Sequence, residues 1–145
     1  MADLVTHLCT ALLPGSIVRS RLVPLVAIGT VIPDALGRAI PLGLERLYAA
    51  GAPVPPWALW PWTAFHEPSG WALVSIAAGA TFVATDRRPA TVALLAGCAL
   101  HTGLDLLQDH HGEGYLLFAP VSTRDVELGW FGSAATVGIA APLAA

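Results

Sequence analysis

Pro89-Ala90-Thr91-Val92-Ala93-Leu94-Leu95-Ala96-Gly97-Cys98-Ala99-Leu100-His101-Thr102-Gly103-Leu104, with Arg87-Arg88 before it and Asp105 after it, is the stretch that decides the fold class. It carries no formal charge over sixteen residues. A membrane crossing takes roughly 20 predominantly apolar residues at about 1.5 Å each, so this run crosses if its helix extends slightly past the charge-free core. Near its far end His101 and Asp105 lie four residues apart, which stacks them on one helix face.

Three other stretches lack charge for a comparable length: Leu4–Val18, Pro68–Thr85 and Leu128–Ala145. Leu22–Pro33 is a shorter one, and Pro14 and Pro24 interrupt the first two in chain order. Such prolines are tolerated in membrane helices where neighbours satisfy the freed backbone. The expected fold is all-α: a polytopic transmembrane bundle of about five helices, the first two short or a re-entrant hairpin, with residues 1–145 as a single integral membrane domain. Between the second and third crossings, Pro41–Ala49 reads as a short surface helix with proline at its first position. Ala50–Pro61 is the least helical stretch, and Trp57, Trp60, Trp62, Trp71 and Trp130 suit a headgroup boundary.

Composition agrees. Apolar residues make up 55% of the chain and charged ones 12%, against about 25% charged in soluble domains. Lysine is absent, mean hydropathy is +0.66, and the net charge of −3 offers no basic footprint for nucleic acid. Two cysteines exclude a disulfide scaffold, and so apolar a chain is not disordered. The start Met-Ala-Asp has no basic region, so no cleaved signal peptide is expected. No internal repeat recurs.

Arginine placement sets orientation. Arg19 and Arg21 fall in the first turn, Arg87 and Arg88 in the turn between the third and fourth helices. Positive loops stay cytoplasmic, so both turns are expected inside, with the N-terminus outside and the C-terminus inside. From these turns His7 is twelve residues from Arg19, Asp34 thirteen from Arg21 and His101 thirteen from Arg88, which is roughly 18–20 Å of helix in each case. Asp105 lies one turn above His101, and His66 and Glu67 open the third helix on the same outer side. His7, Asp34, His66, His101 and Asp105 are thereby expected near one level. Ionisable residues at that depth face the bundle interior and mark a functional site. Imidazole and carboxylate together suit a divalent metal, zinc above all.

Other residues carry weaker signals. Glu67 is a candidate general base, or a helix-start carboxylate favoured by the dipole. Asp109 continues the i+4 series past Asp105 and is a second candidate base, although with His110 and His111 it fits the surface as well. Cys9 and Cys98 read as small buried apolar residues. Arg124 suits a phosphate head group, or a salt bridge to Asp125 or Glu127. Gly112-Glu113-Gly114 is a turn; there is no Gly-x-Ser-x-Gly, no phosphate-binding loop, no His-Glu-x-x-His and no Cys-x-x-Cys-His for haem.

The order of these motifs carries a resemblance. An early His7, Gly29-Thr30-Val31-Ile32-Pro33-Asp34, His66, then Gly97-Cys98-Ala99-Leu100-His101-Thr102-Gly103-Leu104-Asp105 and Pro120, roughly residues 4 to 120, resembles the YdjM-like membrane-bound metal-dependent hydrolases. It is distantly similar to zinc-dependent phospholipase C proteins. Where such relatives carry His-Arg-Gly-x-Thr-His-Ser, this chain has Phe65-His66-Glu67-Pro68-Ser69, so one family histidine is absent or replaced by Glu67. The resemblance implies an integral protein of a bacterial cytoplasmic membrane. It further implies a metal-dependent hydrolase acting on a lipid or lipid-linked ester or phosphoester; the shared depth of the five groups favours entry from the outer leaflet. His7, Asp34, His66, His101 and Asp105 would be the ligands. Two alternatives stand beside it: a non-enzymatic membrane protein holding a structural metal or relaying protons, and a small subunit of a larger membrane complex.

Overall fold

The structure, a computed structural model, describes residues 4–17, 21–109 and 114–130. Among them the chain is helical, with one isolated antiparallel bridge between Tyr115 and Val126 and no strand. Helix α1 spans Leu4–Ile17, α2 Val23–Asp34, α3 Ile40–Ala49, α4 Trp60–Thr63, α5 Pro68–Ala80 and α6 Ala84–Leu106. Short 3-10 turns at Pro56–Ala58 and Ala64–His66 flank α4.

The second helix departs most from expectation. It is not short: α2 runs through a π-helical segment, Ala35–Ala39, directly into α3, making 27 continuous helical residues over Val23–Ala49. Pro33 sits inside α2 and cannot donate to the Gly29 carbonyl four residues back. The Cys98 thiol of α6 donates to that carbonyl at 3.2 Å, so a neighbouring helix satisfies the group that proline frees. Pro41–Ala49 is accordingly the last part of a long helix and not a separate surface helix.

The other boundaries also shift. The fourth expected helix begins earlier, at Ala84, so Arg87 and Arg88 lie within α6 and the turn before it is Thr81–Val83. The third is shorter, ending at Ala80. Of the expected fifth, Leu128–Trp130 is not helical: the Leu128 and Trp130 N–H groups donate to the Leu106 and Leu107 carbonyls at 2.9 and 2.8 Å. Residues 131–145 fall outside the described residues, as do Arg19, His110 and His111.

Among the described residues, two helices are long and apolar enough to cross a membrane, Val23–Ala49 and Ala84–Leu106. They rise about 40 and 35 Å, against a hydrocarbon core of about 30 Å. Among the described residues, the polar His7, Thr30, Ser75, His101 and Asp105 are buried beside Ala90, Leu94 and Cys98, while the large apolar Ile28, Leu73, Ile76 and Val92 are exposed.

Helices α2 and α6 make the most extensive contact and cross at Gly29 and Gly97. A β-carbon on Gly29 would stand 2.4 Å from the Leu94 carbonyl oxygen, and one on Gly97 2.1 Å from that of Val26. Small residues permit this close backbone approach, which sets the end of α2 against the last turns of α6. At the other end, Arg21 Nη2 lies 3.3 Å from Asp86 Oδ1, so the turn before α2 neighbours the first turn of α6, which carries Arg87 and Arg88.

Candidate metal centre

The five groups picked out by depth stand together. His101 on α6 is fully buried, and its Nδ1 lies 2.9 Å from the Thr30 carbonyl of α2. A carbonyl only accepts, so Nδ1 carries a proton and donates to it. The His101 Nε2 faces Asp105 Oδ2 at 3.3 Å and His66 Nε2 at 3.4 Å. His66 Nε2 in turn faces Asp34 Oδ1 at 3.2 Å. His7, from α1, stacks on the His101 ring with centroids 3.9 Å apart. Its Nε2 lies 3.2 Å from Asp105 Oδ1, yet neither atom makes a hydrogen bond.

These donors fall into two triads that share His101: His7, His101 and Asp105, all buried, and Asp34, His66 and His101, more open. Their atoms lie within 4.8 Å of one another in each triad, so the group could hold a metal ion. The chemistry fits. Donors at about 2.0–2.2 Å around one tetrahedral ion stand about 3.3–3.6 Å from one another, and four of the separations above are 3.2–3.4 Å. The Thr30 carbonyl fixes the His101 tautomer as second partners of metal-binding histidines do.

A residue the sequence did not single out completes the centre. The Tyr115 hydroxyl donates to Asp105 Oδ2, and its ring stacks on His66 with centroids 5.2 Å apart. Tyr115 reaches the site because the chain after α6 folds back, through the Tyr115–Val126 bridge and the bonds to Leu106 and Leu107. Burial and the adjacent Asp105 charge push the phenol well above its ordinary range, so it stays a donor. No local pattern in the sequence marks this contact.

The two candidate bases differ. Glu67 precedes α5 in extended conformation, and its carboxyl accepts from the Leu116 N–H of the returning loop. Burial raises its pKa above the ordinary carboxylate range, with the Leu116 bond and His66 opposing. Asp109 is exposed in the chain leaving α6 and belongs to neither triad. Cys98 is buried and bonded to Gly29 and Ser75, away from the triads. Arg124 is exposed on its own turn, its N–H bonded to Ser122 Oγ.

Comparison with known proteins gives no match: no family model, no curated protein and no solved structure is similar to this chain at a significant level.

Proposed function

We propose that the chain is an integral membrane protein of about five crossings whose His/Asp cluster holds a divalent metal, zinc in the first instance. In this proposal it hydrolyses an ester or phosphoester of a lipid or lipid-linked substrate, as the YdjM-like resemblance implies. One observation carries it: three buried groups, His7, His101 and Asp105, meet Asp34 and His66 at donor–donor spacings suited to an ion. Supporting the membrane part are the two long apolar helices and the exposed large apolar side chains. With the Arg21–Asp86 end in the cytoplasm, the cluster at the opposite end of α6 opens toward the outer leaflet.

A metal held by His7, Asp34, His66, His101 and Asp105 would supply Lewis acidity to an ester or phosphoester oxygen. The protein's own groups do the rest. Thr30 and Tyr115 hold His101 and Asp105 in place. Glu67, half-buried beside His66 with Oε2 unbonded, takes up the proton released by the attacking water. Asp109 serves only if substrate draws the chain after α6 inward.

Complete burial of one triad favours a second reading, a structural ion, since closed sites are structural and catalytic ones keep an open position. Metal analysis of detergent-purified protein, wild type beside His101→Ala, tests the shared premise. Metal bound at stoichiometric level by wild type and lost in His101→Ala is expected; equal content in both refutes the centre. Turnover of a lipid ester and phosphoester panel by metal-replete protein then separates enzyme from structural site.

A further inference from the structure

The cluster grades from closed to open. His7, His101 and Asp105 are at most 1% exposed, His66 and Asp34 are 13% and 17% exposed, and Arg38 beyond them is 39% exposed. Arg38 follows Asp34 by one helical turn, with Nη1 3.7 Å from Asp34 Oδ1, too long for a hydrogen bond. Among the described residues it is the arginine whose guanidinium reaches the cluster. It sits on the π segment, a deviation often found at functional sites. Gly37 beside it packs so closely that a β-carbon there would lie 2.8 Å from His66 Cβ. The segment is therefore seated on His66, and Arg38 is held at the opening and not out in the apolar surface. Its charge reaches inward as far as the Tyr115 hydroxyl.

An arginine in an apolar helix is costly and marks a functional position. The two carboxylates of Asp34 and Asp105 balance one divalent ion, so Arg38 supplies surplus positive charge where a substrate would enter. Its Nη1 is within about 7 Å of His66 Nε2 through Asp34. The planar fork matches phosphate bidentately. A neutral ester offers it a carbonyl oxygen but no charge to balance.

Building on the metal-holding cluster proposed above, we infer that Arg38 is the anion-recognition residue at the mouth of the site, and that the group it receives is a phosphate. The phosphate comes either from a lipid head group or from a free phosphorylated compound, and Arg38 binds the shared oxyanion. Full-length, zinc-loaded protein in an uncharged detergent tests this with two probes, inorganic phosphate and micelles carrying phosphatidic acid. Zinc content is measured on every sample. Wild type is expected to bind at least one probe, Arg38→Gln at least about tenfold more weakly, with zinc retained. Arg38→Lys keeps the charge without the fork and should fall between them. Binding of phosphatidic acid alone assigns a lipid source; binding of both assigns the phosphate group itself. Three outcomes overturn the proposal while leaving the metal centre standing. They are zinc-loaded wild type that binds neither probe, Arg38→Gln that binds as wild type does, and Arg38→Gln that loses zinc, which would make Arg38 a positioning residue for Asp34. Wild type that holds no zinc overturns the metal centre and this proposal together.

Discussion

Gly29→Ala tests the link between helix crossing and site. The new methyl would stand 2.4 Å from the Leu94 carbonyl oxygen and 2.9 Å from Gly97 Cα, both backbone atoms that cannot rotate away. Ordinary contact needs about 3.5 Å, so α2 and α6 must separate by about 1 Å locally. Overpacking of this kind costs about 1–3 kcal/mol. The same shift lengthens the 2.9 Å bond between His101 Nδ1 and the Thr30 carbonyl, one residue from Gly29, beyond hydrogen-bond range. Losing such a second partner weakens metal binding by about 10- to 100-fold. Gly103→Ala is the control: it lies on the same helix α6 with nothing near its would-be β-carbon, and alanine there gains about 0.5–1 kcal/mol of helix stability. Thermal unfolding in detergent and zinc titration against a competing chelator read the two effects separately. A Gly29→Ala protein that melts with wild type and binds zinc equally would refute the crossing as the element that positions His101.

Tyr115→Phe keeps the ring stacked on His66 but removes the donor to Asp105. Chelator competition should show about 10- to 100-fold weaker metal binding, and unchanged affinity would reduce the returning loop to a cover. Glu67 has a raised pKa through burial. The folded state therefore holds its proton more tightly than the unfolded state, and stability falls as pH rises through the raised value. Glu67→Gln should thus stabilise at neutral pH and leave acid stability unchanged, while lowering hydrolysis by about 10²–10⁴-fold with metal retained. Loss of metal in that variant would instead make Glu67 a ligand. Because imidazoles must be unprotonated to bind, metal content should fall as pH falls, and pH-independent retention down to about pH 5 would argue against histidine ligation. Single cysteines at positions 21 and 86, in a background lacking Cys9 and Cys98, should label from the same side of the membrane, since Arg21 and Asp86 are in contact. Labelling from opposite sides would contradict the bundle.

The helical class and the His/Asp cluster that could hold a metal were legible in the sequence because both rest on local arithmetic. Charge-free length marks apolar helices, and the four-residue spacing of His101 and Asp105 puts them on one face. The depth count had a weaker footing, since Arg88 lies inside α6 and not in the turn before it. Helix ends were less legible. Pro33 reads as a terminus when only α2 is considered, yet the helix continues to Ala49, because Cys98 on another helix takes the carbonyl that proline frees. Arg38 carried a faint signal, a lone arginine one turn past Asp34 in an apolar run, but its place at the mouth depends on the π segment seated on His66. Tyr115 carried none. Its contact with Asp105 spans ten residues and exists only because the chain folds back onto the end of α6. Residue type and spacing along one helix thus determined which donors could meet; the crossing at Gly29 and Gly97, the π segment and the returning loop decided which atoms do, since those are contacts between elements that no single element's periodicity encodes.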